Sequence, residues 1–171
     1  MNKLKINHLI VVEGSQDESY LLSFFDCFTF VINGLDVNKE KINFLKNVSN
    51  VRKIILLTDP DKEGNNIRNK INNEIPSCIN VVLDINKCNK NNKHGVKECE
   101  KEELINKLTP FVSKNLESGD IDFPFLYSLN IDFDIIKKKY SLGKVNNKTF
   151  IKRLNCLLIT KESIKNGNQC I

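Results

Sequence analysis

The sequence predicts an α/β fold: a four-stranded parallel sheet with helices on both faces, followed by a small helical C-terminal domain. Three observations carry this. Short runs of branched apolar residues alternate with segments of helical spacing as far as Leu108. Two of those runs stop abruptly on acids, at Glu13-Gly14 and at Asp59-Pro60-Asp61. Beyond Pro124 the strand signal ends and only short helical patterns follow.

The elements follow in order. His8 to Val12 is an apolar run that reads as a buried strand. Ser15 to Asp26 follows with helical spacing, Tyr20, Leu21, Phe24 and Phe25 on one side, Ser15 as its cap and Glu18 as the return partner of a capping box. Thr29 to Ile32 is a second strand, and Asn38 to Val48 a helix with Ile42, Leu45 and Val48 inward. Ile54 to Leu57 is the central strand, stopped by Pro60, which has no N–H to donate. A helix over Asn65 to Ile75 ends at Pro76, and Asn80 to Asp84 makes the fourth strand. Asn86 to Lys97 is too polar for a core and reads as a mobile loop, before a helix over Glu102 to Leu108. The expected division is a catalytic domain over 1–112, a linker over 113–124 and a basic helical domain over 125–171. The last has helices at Phe125 to Leu129, Phe133 to Tyr140 and Asn147 to Leu157, and a short extended end at Leu158-Ile159.

Composition narrows the function classes. With 171 residues, 40% of them hydrophobic and 27% charged, the chain can build one ordinary core. No run approaches the ~18 apolar residues of a membrane span. There is no secretory h-region, so a cytoplasmic location is expected; a monomer that does not engage membranes is expected as well. The six cysteines form no Cys-x-x-Cys pair, and the two histidines stand apart. A zinc site is therefore disfavoured, and reduced thiols are expected. The net charge of +5 is a mild preference for polyanions.

The chemistry centres on the acids. In open α/β sheets, catalytic groups gather at the carboxyl ends of the strands. If the strands ending at Val12 and Leu57 are neighbours, Glu13, Asp59 and Asp61 reach one cavity. Clustered carboxylates repel one another and call for a cation. A hard ion such as Mg²⁺ prefers oxygen ligands and keeps several waters. One or two such ions, the latter ~3.5–4 Å apart, suit phosphodiester hydrolysis. The plain alternative is an Asp-Pro-Asp turn capping the next helix. Gly14 and Gly64 leave room for a phosphate at the backbone. Asp17 holds a metal-bound water or a lysine, or else merely complements a helix dipole. Arg68 clamps a phosphate or pairs with an acid.

Val11-Val12-Glu13-Gly14-Ser15-Gln16-Asp17, followed by Asp59-Pro60-Asp61-Lys62-Glu63-Gly64, resembles the Toprim domain of topoisomerases, primases and related nucleases. Thr58 to Asp61 with Gly64, Ile67-Arg68 and Ile75-Pro76-Ser77-Cys78, together with Leu142 to Leu154, is similar to one branch, ribonuclease M5. The resemblance spans nearly the whole chain. It implies a Toprim-like, Rossmann-like sheet and an Mg²⁺-dependent endonuclease, with Mn²⁺ as a substitute. The implied substrate is precursor 5S ribosomal RNA, trimmed on both strands of a helix with a ribosomal protein that binds 5S RNA as helper. It also implies that Glu13, Asp59 and Asp61 are catalytic metal ligands, with Glu98 as a further candidate.

The expected RNA contacts are Lys87, Lys90 and Lys93 in the polar loop, and Lys144, Lys148, Lys152 and Arg153 in the C-terminal helices. A-form RNA hides its major-groove edges, so such contacts read shape and phosphates. Two departures stand out. The family usually has a lysine where this chain has Ser15, and a glutamate where it has Lys97. Either Glu98 substitutes for that glutamate or the ligand is lost. Two alternatives stay open: a Toprim enzyme nicking or priming on DNA, and a non-catalytic RNA-binding assembly factor.

Overall fold

The computed structural model describes residues 3–34, 36–90, 93–129 and 132–167. Its centre is β1 (Leu4–Val12), in which side chains alternate between two apolar clusters. Ile6, Ile10 and Val12 enter one cluster, and Leu9 and Val11 the other. The strand begins four residues before the expected His8 because neighbouring strands give Leu4 to Ile6 partners. The helix α1 (Ser15–Phe24) follows, then β2 (Phe25–Val31). Phe25 and Asp26, expected at the end of the helix, are already strand. They pair in parallel register with Leu4 and Lys5, and these ladder bonds override the helical spacing.

Next come α2 (Lys39–Ser49) and β3 (Ile54–Leu56). β3 runs parallel along Leu9–Val11, so β1 lies between β2 and β3. The helix α3 (Lys62–Glu74) leads to β4 (Ile79–Asn80), parallel to β3. β4 is much shorter than the expected Asn80 to Asp84, because the three-residue β3 offers no ladder beyond Leu56 and the bond from Val81.

The polar loop is more ordered than expected. It carries a two-residue hairpin, β5 (Asn89–Lys90) with β6 (Lys93–His94), and a disulfide joins Cys88 to Cys99 where separate thiols were expected. Cys27, Cys78 and Cys156 are free and buried, as expected of thiols. Cys170 lies outside the described residues. After α4 (Lys101–Leu108), β7 (Val112–Ser113) returns antiparallel to Lys5 and Ile6. The principal strand order is β2-β1-β3-β4, the four-stranded parallel sheet the sequence predicts, with β7 as an antiparallel fifth strand.

The C-terminal helices are α5 (Phe123–Ser128), α6 (Phe133–Lys139), α7 (Asn147–Cys156) and α8 (Lys161–Gly167). Leu158 and Ile159, expected as a short extended end, form instead the turn between α7 and α8, a helix the sequence reading did not foresee. Thr160 and Ser163 cap its start by exchanging hydrogen bonds, a signal that the weak apolar pattern there hid. α1 and α4 cover one face of the sheet through Leu21, Leu104 and Leu108. α2 and α3 cover the other, and Phe125, Leu126, Phe150 and Leu154 of the C-terminal helices join that same cluster.

Two arginines stitch the C-terminal helices down. Arg52 donates to the carbonyls of Cys156, Asn7 and Glu117 at 2.7, 2.7 and 3.1 Å. Arg153 lies over the rings of Phe30 and Phe44, 4.8 Å from each centroid, and donates to the Leu142 carbonyl. The segment 113–124 is anchored too: Ile121 N–H donates to Asn155 Oδ1 at 2.9 Å. Among the described residues no helix is long and apolar enough to cross a membrane.

Phe150 has no exposed surface and sits where α7 meets the sheet cluster. Phe150→Ala should cost about 3–5 kcal/mol of global stability, read as a lower urea midpoint. A loss confined to local fraying of α7 would show that the C-terminal helices do not share the sheet's core.

Candidate functional site

β1 and β3 are hydrogen-bonded neighbours, so their carboxyl ends emerge side by side. Leu57 N–H donates to Val11 O at 2.9 Å, just before the chain leaves the sheet. Glu13 and Asp59 then meet directly: Asp59 N–H donates to Glu13 Oε1 at 2.8 Å. The contact needs a glycine nearby. A methyl group on Gly64 would lie 2.1 Å from the Asp59 carbonyl and 2.7 Å from Glu13 Oε1.

Asp61 plays the capping role that the plain alternative assigned to it. It is the N-cap of α3, and its Oδ1 accepts from Gly64 N–H at 2.8 Å. Its charge still bears on Glu13 and Asp59. Asp17, not Glu18, closes the start of α1, one residue earlier than expected. Gly14 is the N-cap, and its N–H donates to Asp17 Oδ2 at 3.0 Å.

The polar loop completes the site. Val96 N–H donates to Asp59 Oδ1 at 2.9 Å, and Lys97 N–H to Asp17 Oδ1 at 3.1 Å. Glu98 comes with them. A methyl group on Gly95 would stand 2.6 Å from Glu98 Oε2 and 3.2 Å from both Asp59 carboxylate oxygens. Glu13, Asp17, Asp59 and Glu98 therefore line one open hollow of about 400 Å³, with Gly14 and Ser15 at its wall. The sequence offered Glu98 only through the family pattern. The pinning of two carboxylates by loop amides left no signal in residue types, since any residue but proline has an N–H.

The hollow is electronegative, and the positive charges of Arg68, felt by Glu13, Asp59 and Asp61, and of Lys97, felt by Asp17, act on it without a close ion pair to these acids. Burial, then the charges of Asp17, Glu13 and Asp61, push the Asp59 carboxyl up to about 7, against the opposing pull of the Val96 N–H. Burial also raises Glu13 and Asp17 above the ordinary carboxylate range. Among the described residues, Glu13, Asp17, Asp59 and Asp61 pair with no basic side chain. Glu98 has one at the rim, Lys97 Nζ at 3.6 Å. Arg68, expected on a phosphate or an acid, is instead buried beneath the turn. It donates to Thr58 Oγ1 and Asn65 Oδ1, both at 2.5 Å, and so fixes the strand end.

No three of these acids close around one point as a finished metal cage, among the described residues. The donor set is nonetheless all carboxylate oxygen, the chemistry a hard divalent cation takes, with water filling the remaining positions.

The expected RNA contacts scatter. Lys87 pairs with Glu103 at 3.2 Å on the far side of the loop. Lys90 is exposed on β5, and the Lys93 side chain lies outside the described residues. Lys144, Lys148, Lys152 and Arg153 line a groove of about 820 Å³ between α1, β2 and α7. Within it Lys152 is taken by Glu18, at 2.7 Å, and by Thr29. Arg153 faces inward over Phe30 and Phe44 rather than outward to RNA, because the guanidinium plane stacks well on rings.

Comparison with known proteins bears on the fold and on the family. The Toprim domain family matches residues 8–94. A small Toprim-domain protein of Bacillus stearothermophilus superposes with a TM-score of 0.52 at 18% identity, covering 66% of this chain and 92% of that one, which shows the fold. Ribonuclease M5 of Mycoplasma genitalium is 32% identical, covering 95% of this chain and 94% of its own length. Its counterpart in Staphylococcus aureus is 30% identical over 95% and 97%. The chain belongs to the ribonuclease M5 family. The relatives extend along the C-terminal helices as well as the Toprim part. Ribonuclease M5 in Borreliella burgdorferi is likewise 32% identical over 95% of this chain and 93% of its own.

A raised acid stabilises the fold most below its unfolded pKa, near 3.8, and that contribution is lost as pH rises through the folded value near 7. Asp59→Asn keeps an oxygen for Val96 N–H but cannot ionise. In metal-free buffer it should raise Tm at pH 8 and change it little at pH 4. An equal shift at both pH values would show that Asp59 ionises without strain.

Proposed function

We propose that this chain is a divalent-metal-dependent endoribonuclease that hydrolyses phosphodiesters in double-helical precursor 5S ribosomal RNA, giving the mature ends. One observation supports this reading above the rest: Glu13 and Asp59, distant in sequence, share one hydrogen bond at the rim of a hollow whose central acids have no basic partner among the described residues. Toprim domains as a class work with divalent cations, and the donor oxygens suit Mg²⁺, with Mn²⁺ as a substitute. Glu13, Asp59 and Asp61 would hold it, with Glu98 as a further ligand. The bound ion supplies Lewis-acid stabilisation of the scissile phosphate and a water nucleophile at neutral pH.

The remaining work belongs to this chain's own groups. Glu13 and the Val96 amide hold Asp59 from two sides, one at its backbone and one at its carboxylate. Asp17 ties the loop to α1, which keeps Glu98 over the hollow. Arg68 braces the Thr58 end of β3 from below. Such fixed positioning matters because phosphoryl chemistry is mostly orientation and electrostatics. Gly64 leaves the backbone close enough for Glu13 to reach across. We further propose a cytoplasmic monomer that takes a ribosomal protein as helper in presenting the RNA.

Incubating the protein with precursor 5S RNA, with and without the helper, should give mature ends in Mg²⁺ and none after chelation. Glu13→Gln, Asp59→Asn and Asp61→Asn should each abolish cutting with the fold intact by circular dichroism. Binding of the precursor with no cleavage at any Mg²⁺ or Mn²⁺ concentration would instead favour a non-catalytic assembly factor. Preferential nicking of duplex DNA would favour a different Toprim chemistry.

A further inference from the structure

A third strand end also opens on the hollow. β1 delivers Glu13 and β3 delivers Asp59, while β2, on the other side of β1, delivers Asn33. The backbone fixes Asn33 in place. Its N–H donates to the Glu13 carbonyl at 2.9 Å, next to the bond from Ile32 N–H to the Val12 carbonyl at 3.0 Å. Its φ is +55°, and Gly34 follows at +88°. Asparagine is one of the few side chains that tolerate this left-handed region, which accounts for the residue type as far as the turn goes. The turn leaves the side chain unused. The Asn33 side chain is exposed and makes no hydrogen bond with another described residue. It lines both the hollow of acids and the groove of about 820 Å³ that carries the exposed Lys144 and Lys148. Gly34 keeps this wall open, since a methyl group there would meet nothing within 4 Å.

Asn33 thus stands between a place for a scissile phosphate and a place for neighbouring phosphates. What lies between successive phosphates on the surface of an RNA helix is the ribose, whose 2′-hydroxyl both donates and accepts. A carboxamide does both as well. A lysine at this position would be drawn onto Glu13 and Asp59, and an aspartate would repel the phosphates on either side. A neutral amide does neither. We propose that Asn33 hydrogen-bonds the 2′-hydroxyl of a nucleotide flanking the cleaved bond, and that this contact makes the site prefer RNA to DNA. The proposal rests on the endoribonuclease reading for the helix that lies there, and on the place of Asn33 for the contact. It asks for no unpaired base, because an intact A-form helix displays its 2′-hydroxyls along the shallow minor groove.

The test is a cycle that removes the amide from the protein and the hydroxyl from the substrate, singly and together. Precursor 5S RNA is prepared with a single 2′-deoxynucleotide, moved one position at a time across the mapped cut. With the full wild-type chain, one such substitution should raise KM about fivefold and leave kcat nearly unchanged, the loss of one neutral hydrogen bond. Asn33→Gly keeps the left-handed backbone, so its Tm should not fall. On the all-ribose precursor it should raise KM by the same factor, and the sensitive deoxy position should then carry no further penalty. Anisotropy of the same labelled RNAs in chelator should repeat the pattern in Kd. A wild-type chain that cuts but is indifferent to every deoxy position overturns the proposal and leaves the endonuclease reading standing. So does Asn33→Gly with an unchanged KM, or with the deoxy penalty kept in full. Coupling in Kd from a chain that cuts no precursor in Mg²⁺ or Mn²⁺ upholds the contact and overturns the endonuclease reading. Failure to bind any precursor overturns both.

Discussion

The hydrogen bond from the Asp59 amide to Glu13 Oε1 is the joint on which the site depends. It spans 46 positions of chain and exists only because β1 and β3 lie side by side in parallel register. A parallel pair sends both chain directions out at the same edge, so two strand ends deliver their next residues to one place. The glycine at 64 is the steric condition for that meeting. With any side chain there, the backbone of Asp59 and the carboxylate of Glu13 would be pushed apart.

Around this joint the polar loop acts as a brace. Its two amides take the outward oxygens of Asp59 and Asp17, and its Cys88–Cys99 disulfide closes the loop at its base. Carboxylates in a desolvated hollow are costly to keep ionised, and each N–H offsets part of that cost. The balance still leaves Asp59 much easier to protonate than an exposed aspartate. The site is thus held in shape by neutral donors. Cationic side chains are kept below it, as with Arg68, or at its rim, as with Lys97.

Much of this was legible in the residues. The apolar runs ending in Glu13-Gly14 and Asp59-Pro60-Asp61 pointed to the right sheet edge, and the alternation of elements gave the parallel sheet. Boundaries fared worse where a ladder and a helical pattern competed, as at Phe25, or where a strand depended on its partner's length, as at Val81. The basic residues were the least readable. A lysine's partner is set by what packs opposite, so Lys152 meeting Glu18, and Arg153 lying on two phenylalanines, follow from tertiary contacts that spacing cannot show. The pinning amides of Val96 and Lys97 are backbone groups, equally invisible in side-chain chemistry.

The shared apolar cluster has a consequence for how the protein is made. One face of the sheet is sealed by residues as late as Ile164. In a chain emerging from the ribosome, Leu9, Val11 and Phe30 can be covered first by α2 and α3 and only later by the C-terminal helices, because synthesis exposes the amino-terminal part first. The acidic edge can thus form on a sheet whose second face still awaits the side chains of the C-terminal helices.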